Sequence, residues 1–166
     1  MKKINVLFIC HGNICRSPMA EFVFKDMVQK KGYAELFHIE SAATSTEEIG
    51  NPVHRGTVRI LSSKGISCSG KRARQITIDD YEDYDFLVGM DRHNMINMKR
   101  ILGEDTDGKM HLLLDFTERK GDIADPWYTN NFELTYRDVL EGCEGFLSYL
   151  HFSSTSFSNF SSVISS

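Results

Sequence analysis

A cysteine followed six positions later by an arginine, Cys10-His11-Gly12-Asn13-Ile14-Cys15-Arg16, is the part of this chain best suited to chemistry. An apolar run, Ile4 to Ile9, precedes it, and Ser17-Pro18 opens a helix-like stretch behind it. A loop passing from a strand end into a helix start turns its backbone N–H groups toward one point, where the positive end of the helix dipole also aims. That geometry makes a cradle for an anion. The amides from His11 to Ser17 would wrap the oxygens of a phosphoryl group, and Arg16 would clasp two of them bidentately. An electropositive cup of this kind favours a thiolate nucleophile, so Cys10 is the candidate for covalent catalysis. Gly12 permits close approach or an unusual dihedral, and Asn13 tolerates a left-handed backbone. Ser17 is placed to donate a hydrogen bond to the sulfur.

A phosphate monoester also needs a proton for its leaving oxygen. Asp125, in Asp125-Pro126-Trp127-Tyr128, is the candidate general acid, with Pro126 stiffening the turn and the two aromatic residues walling the entrance. Its rivals have structural readings: Asp91 as a helix cap, Asp79 and Asp80 as a solvated first turn. Cys15 has two open readings, as a small loop residue or as the thiol that traps oxidised Cys10 in a disulfide. Cys10, His11 and Cys15 lack a fourth ligand at suitable spacing, so no metal is expected. His11 belongs to the pocket rim, while His38, His54, His93, His111 and His151 read as surface or packing residues. Lys71, Arg72 and Arg74 read as a solvated basic face.

The elements that must position these residues follow from pattern. Ile4 to Ile9 is almost continuously apolar, the mark of a strand buried on both faces. A helix spans Pro18 to Lys31, with Met19, Phe22, Val23, Met27 and Val28 inward and Gly32 as its stop. Phe37–Ser41, Asp85–Met90 and His111–Leu114 read as further strands, and Ile66–Cys68 as a short extended piece. Pro52 to Lys64 reads as a second helix. Thr77 to Asp80 forms a capping box for a brief helix, and Asp91 caps another through Ile101. A long loop covers Phe116 to Tyr128, before a last helix from Phe132 to Leu150 that turns Leu134, Val139, Phe146 and Leu147 inward. Strands alternating with helices predict a single α/β domain with a parallel sheet covered on both faces, whose ligands bind beyond the carboxyl ends of the strands. The Cys10 loop leaves the first strand at that end.

The 166-residue length suits one domain, and 41% hydrophobic residues suffice for a core. A net charge of −4 weighs against nucleic acid or an anionic membrane as partner. Lys2 and Lys3 before a short apolar run resemble a signal peptide, but no small-residue cleavage site follows. Four cysteines without a disulfide-like spacing point to a reducing, cytoplasmic address. The domain is expected over residues 1–151. The serine-rich, uncharged stretch 152–166 reads as a disordered or vector-derived tail.

Taken together, Cys10 to Pro18 with Ala20-Glu21, and Asp125 to Tyr128, resemble the low-molecular-weight protein tyrosine phosphatases. The likeness continues through Ser41 to Ser45, Ile49 to Pro52, Ala73 to Ile76 and Met90-Asp91, from about Lys3 to Leu150. It implies a four-stranded parallel sheet flanked by helices, with the phosphate-binding loop after the first strand. It implies Cys10 as nucleophile, Arg16 as phosphate clamp, and Asp125 as acid then base, with no cofactor and no metal. Asn13, Ser17 and Ser41 match the polar network supporting the loop, and Cys15 matches a resolving thiol. The implied partner is a phosphotyrosine-containing protein, a cognate tyrosine kinase among the candidates, with the enzyme a monomer or weak dimer. The departures are local. Glu47 stands where an aromatic often lines the cleft, Lys71 where members often carry histidine, and Trp127 where tyrosine is usual. Ile14 stands where related arginine phosphatases tend to carry threonine, which implies the phosphotyrosine-selecting form. Arsenate reductase on the same scaffold, or protein arginine phosphatase, is the alternative activity. The first needs two further relay thiols, for which Cys68 and Cys143 are poorly spaced.

Overall fold

The structure is a computed structural model describing residues 2–153. Among the described residues the strands form one parallel sheet in the order β2-β1-β3-β4, from β1 (Ile4–Cys10), β2 (Phe37–Ala43), β3 (Phe86–Gly89) and β4 (Met110–Leu112). Among the same residues six α-helices accompany it: α1 (Arg16–Lys30), α2 (Arg55–Ser63), α3 (Ile78–Asp83), α4 (Arg92–Leu102), α5 (Pro126–Thr129) and α6 (Phe132–Ser153). α6 runs to Ser153, so residues 152 and 153 are helical rather than the start of the expected tail, and the rest of that 152–166 reading lies outside the described residues.

β1 is apolar except for the half-buried Asn5, because both its faces are covered. Val6 and Phe8 join a core with residues of α1, α2 and α6, while Leu7 and Ile9 join a second core with residues of α3 and α4. The first core is aromatic: Phe8 meets Phe24 at 5.8 Å and Phe146 at 6.3 Å, both edge-on. Burying each ring contributes about 1.5–3 kcal/mol. Strand order runs one way from β1 to β2 and the other way to β3. The crevice beyond β1 and β3 is therefore the topological switch point, and Cys10 is the last residue of β1.

α6 lies close to the 3₁₀ turn Leu113–Phe116 that follows β4, because Gly142 and Gly145 face it. A Cβ on Gly145 would collide with the Phe116 carbonyl oxygen, a backbone atom that cannot step aside. Alanine there gains helix propensity but overpacks the contact, so Gly145→Ala should lose a net ~1–2 kcal/mol, read from denaturant unfolding.

Several boundaries differ from the sequence reading. The strand expected at His111–Leu114 is Met110–Leu112. The chain then tightens into the 3₁₀ turn, which drops Leu113 and Leu114 into the core. α2 starts at Arg55 rather than Pro52. The ring Nδ1 of His54 accepts from the Gly56 N–H and caps the helix, while Pro52 pairs in an isolated antiparallel bridge with Arg72. Residues 66–68 join no strand. On α1 the fully buried aromatic is Phe24, with Phe22 only half-buried, and Leu134 on α6 faces solvent. α1 begins at Arg16, which places Pro18 third in the helix, still in the first turn where a missing N–H costs nothing.

Candidate active site

Cys10, His11, Gly12, Ile14, Cys15, Arg16, Glu47, Glu48, Asp125, Trp127 and Tyr128 line one pocket of about 370 Å³. The structure thus brings together the predicted nucleophile, clamp and acid, although Asp125 is 109 positions from Arg16 in the chain. A larger groove between α1 and α6, about 530 Å³, holds neither a thiol nor an arginine, so chemistry rather than size selects the site.

The Cys10 sulfur sits under three donors. The Asn13 N–H approaches at 3.3 Å, the Ser17 N–H at 3.4 Å, and the Ser17 Oγ lies 3.0 Å away. Two of these come from the loop turn and the first turn of α1, the convergence of N–H groups that the spacing requires. The turn is made by Asn13, whose φ is +59°, and not by Gly12. Gly12 serves close approach instead: a Cβ there would meet the Glu48 Cγ at 3.3 Å.

Asn13 is buried and ties the loop down in three directions. Its Nδ2 donates to Ser17 Oγ at 2.7 Å and to Ser41 Oγ at 2.9 Å, and its Oδ1 accepts from the Arg74 backbone N–H at 3.2 Å. Below Ser41 is a residue that sequence reasoning passed over. Glu21, 3% exposed, accepts the Ser41 hydroxyl at 2.6 Å and the Lys25 ammonium at 2.6 Å. Lys71 lies 3.6 Å from the same carboxylate and donates to the Ser41 carbonyl at 2.7 Å. The bond directions are fixed from below. An ionised carboxylate only accepts, so Ser41 donates to Glu21 and receives from Asn13. Ser17 likewise receives from Asn13, which leaves its proton for the Cys10 sulfur.

The expected solvated basic face is therefore half wrong. Lys71 is largely buried, and that burial pushes its ammonium pKa down while Glu21 pulls it back up. Arg74 forms a two-pronged pair with Asp80 at 3.0 and 3.2 Å. Asp80, read as solvated, is buried and also caps α3. These polar groups left the surface because the loop and its neighbours needed partners inside. Replacing Glu21 with glutamine would strand the Lys71 charge, at a cost of about 1–3 kcal/mol in a denaturant titration. A signal was present: Glu21 lies at helical spacing from Ser17, Phe24 and Val28, a carboxylate on the buried stripe of α1.

Arg16 is 2% exposed, and a web of acceptors holds it. Its Nη1 donates to Asp91 Oδ2 at 2.6 Å and to the Ile123 carbonyl at 2.9 Å, and its Nη2 reaches Asp125 Oδ2 at 3.4 Å. Burial lowers its pKa, but Cys10, Asp91 and Asp125 more than reverse that, so the guanidinium is held firmly charged. The Nε–H and one Nη2–H remain, the adjacent pair that suits a bidentate oxyanion. Asp91 is the helix cap expected, through Oδ1 on the Asn94 N–H, and in addition the anchor of Arg16.

Asp125 caps the short helix α5 through a 3.0 Å bond from the Trp127 N–H, with Pro126 as first helical residue. This places Trp127 and Tyr128, 59% and 83% exposed, on the pocket wall. His54, whose N–H donates to the Ile14 carbonyl at 2.8 Å, stacks on Phe132 at 5.1 Å and meets Trp127 edge-on at 5.9 Å. It is a packing residue, as read, and it props the wall. Across the mouth, His11 Nε2 lies 3.0 Å from Glu47 Oε2 on the rim. Burial and the negative charges of Cys10 and Asp125 push the Cys15 thiol up to about 12, so it stays protonated at neutral pH.

Residues 5–155 match the family described as low molecular weight phosphotyrosine protein phosphatase. The low molecular weight protein-tyrosine-phosphatase YfkJ of Bacillus subtilis is 42% identical over 146 residues, covering 87% of this chain and 94% of that protein. The crystal structure of YfkJ superposes with a TM-score of 0.90 at 39% identity, over 93% of this chain and 99% of that one. The low molecular weight protein tyrosine phosphatase SP-PTP of Streptococcus pyogenes gives 0.80 at 43% identity, over 96% and 98%. The chain belongs to the low-molecular-weight protein tyrosine phosphatase family.

Proposed function

We propose that this protein hydrolyses phosphotyrosine in proteins, and small aryl phosphates, through a phosphocysteine intermediate. The observation that carries the reading is the Cys10 sulfur under three donors, in one pocket with Arg16 and Asp125. The Cys10 thiolate attacks phosphorus, the bond to the aryl oxygen breaks, and Asp125 gives that oxygen its proton. Water then attacks the phosphocysteine, Asp125 takes a proton from it, and the S–P bond breaks to release inorganic phosphate. Arg16 and the loop amides hold the equatorial oxygens through both steps. Trp127 and Tyr128 give a phenyl ring an apolar wall. Phosphoproteins are the substrates, and a cognate tyrosine kinase is the partner class of interest. Four free cysteines suit the cytoplasm, and among the described residues no helix is long and apolar enough to cross a membrane.

An arsenate-reductase relay is disfavoured by placement. The Cys143 sulfur is buried in the core, 3.9 Å from the Ala20 carbonyl oxygen, and Cys68 opens on a different groove. Initial rates on matched peptides test the reading: phosphotyrosine should be turned over at least about 100-fold faster than phosphoserine or phosphoarginine. Faster cleavage of phosphoarginine would reassign the enzyme.

Cys15 lines the same pocket as Cys10, which supports a resolving role. Peroxide converts the Cys10 thiolate to a sulfenic acid. Once Cys10 is a neutral sulfenic acid its charge no longer holds the Cys15 proton, and the Cys15 sulfur, giving up that proton, displaces water to form the disulfide, which a dithiol reduces again. Peptide mapping after brief peroxide treatment should find a Cys10–Cys15 bridge with activity recoverable by dithiothreitol. Overoxidised Cys10 without that bridge would reject the role.

A further inference from the structure

The lining of the pocket mouth is acidic. Glu47 and Glu48 stand on the loop facing the Cys10 segment, Asp125 stands opposite, and among the described residues the one permanently cationic side chain on the lining is Arg16, buried and held by Asp91, the Ile123 carbonyl and Asp125. Glu47 stands at the rim, where its carboxylate meets His11 at 3.0 Å and its side chain is 68% exposed. Glu48 is braced from the other side, accepting from Asn51 Nδ2 at 2.6 Å, while its side chain packs over Gly12. Arg72 donates to the Gly50 carbonyl behind the same loop, outside the lining. The loop therefore presents two positioned carboxylates where the residues beside a bound phosphotyrosine would pass.

We infer that this mouth selects phosphotyrosines flanked by basic residues and discriminates against acidic flanks. The inference rests on the phosphotyrosine reading above and adds the substrate class to it. The phosphoryl group is bound deep, by Arg16 and the amides. Glu47 and Glu48 act on the chain around it, where a lysine or arginine finds a partner and an aspartate or glutamate meets like charge. Both carboxylates are near solvent, so the effect is modest and falls as salt shortens the screening length.

The test uses the full chain, free phosphotyrosine, and three peptides with one central phosphotyrosine and lysine, serine or glutamate at the flanking positions. At low ionic strength kcat/KM should fall in the order lysine, serine, glutamate, spanning about tenfold, and the span should shrink to about twofold in concentrated salt. Glu47→Lys should compress the low-salt span in the same way. A flat or reversed order in the unaltered protein would overturn the inference. So would a lysine preference that survives both salt and Glu47→Lys undiminished. Free phosphotyrosine separates the two readings: turnover of it with no peptide order refutes only the flank selectivity, and no turnover of any substrate refutes both.

Discussion

Asp125→Ala is expected to lower kcat on a phosphotyrosine peptide by about 10²–10⁴, the range for removing a positioned general acid. The loss should depend on the leaving group. A tyrosine oxygen needs a proton as its bond to phosphorus breaks, whereas a nitrophenolate leaves well without one. With p-nitrophenyl phosphate the first step should therefore be nearly intact, and the deficit should appear in the second step, where Asp125 acts as base. The position of this carboxylate makes the experiment interpretable. It caps α5 through Oδ1 and reaches Arg16 through Oδ2 at 3.4 Å, so its loss removes one helix cap and one long ion pair, not a piece of the core. A cap is worth about 1 kcal/mol. Pre-steady-state kinetics on both substrates would measure the split. An equal loss on both would move Asp125 out of the proton-transfer role.

Arg16→Lys is expected to reduce kcat/KM by about 10²–10³, comparable to removing one preorganised oxyanion donor. The substitution keeps the charge and loses the fork. Lysine cannot hold Asp91 at 2.6 Å and the Ile123 carbonyl at 2.9 Å while presenting two parallel N–H groups to an oxyanion. Because the side chain is almost fully buried, the carboxylate of Asp91 would also be left short of a partner, and stability should fall by about 1–3 kcal/mol. Steady-state kinetics with inorganic phosphate as competitive inhibitor would read both the turnover and the lost anion affinity. Undiminished phosphate inhibition would place the clamp elsewhere.

What could be read in the sequence was what depends on neighbours in the chain. The Cys10 to Arg16 spacing, the Asn13 turn, the Asp125-Pro126 cap and the two-faced β1 are all local, and their physics is visible in a few adjacent letters. What escaped was set by distant contacts. Glu21, Lys71 and Asp80 look like surface charges when read singly. Glu21 and Lys71 are buried because Ser41, itself bonded to Asn13, converges on them from a separate element, and Asp80 because the Arg74 guanidinium and the Thr77 N–H turn onto it. Asp91 was legible as a cap, but its bond to Arg16 joins residues 75 positions apart. The same holds for boundaries. Pro52 signals a helix start, yet His54 caps α2, because the His54 ring is pinned between Phe132 and Trp127. Leu134 and Phe24 share the same apolar character, and only the packing of α1 and α6 around Phe8 decides which is inside.

In the proposed cycle the phosphoryl group passes onto the sulfur of Cys10. Acid-quenching Asp125→Ala during turnover of p-nitrophenyl phosphate, then mapping the phosphorylated peptide by mass spectrometry, tests it most directly. One phosphoryl group should appear on Cys10, formed at the rate of the nitrophenolate burst and absent in Cys10→Ser, which should be inactive. Phosphate on His11 or any other residue, or steady hydrolysis by Cys10→Ser, would contradict it.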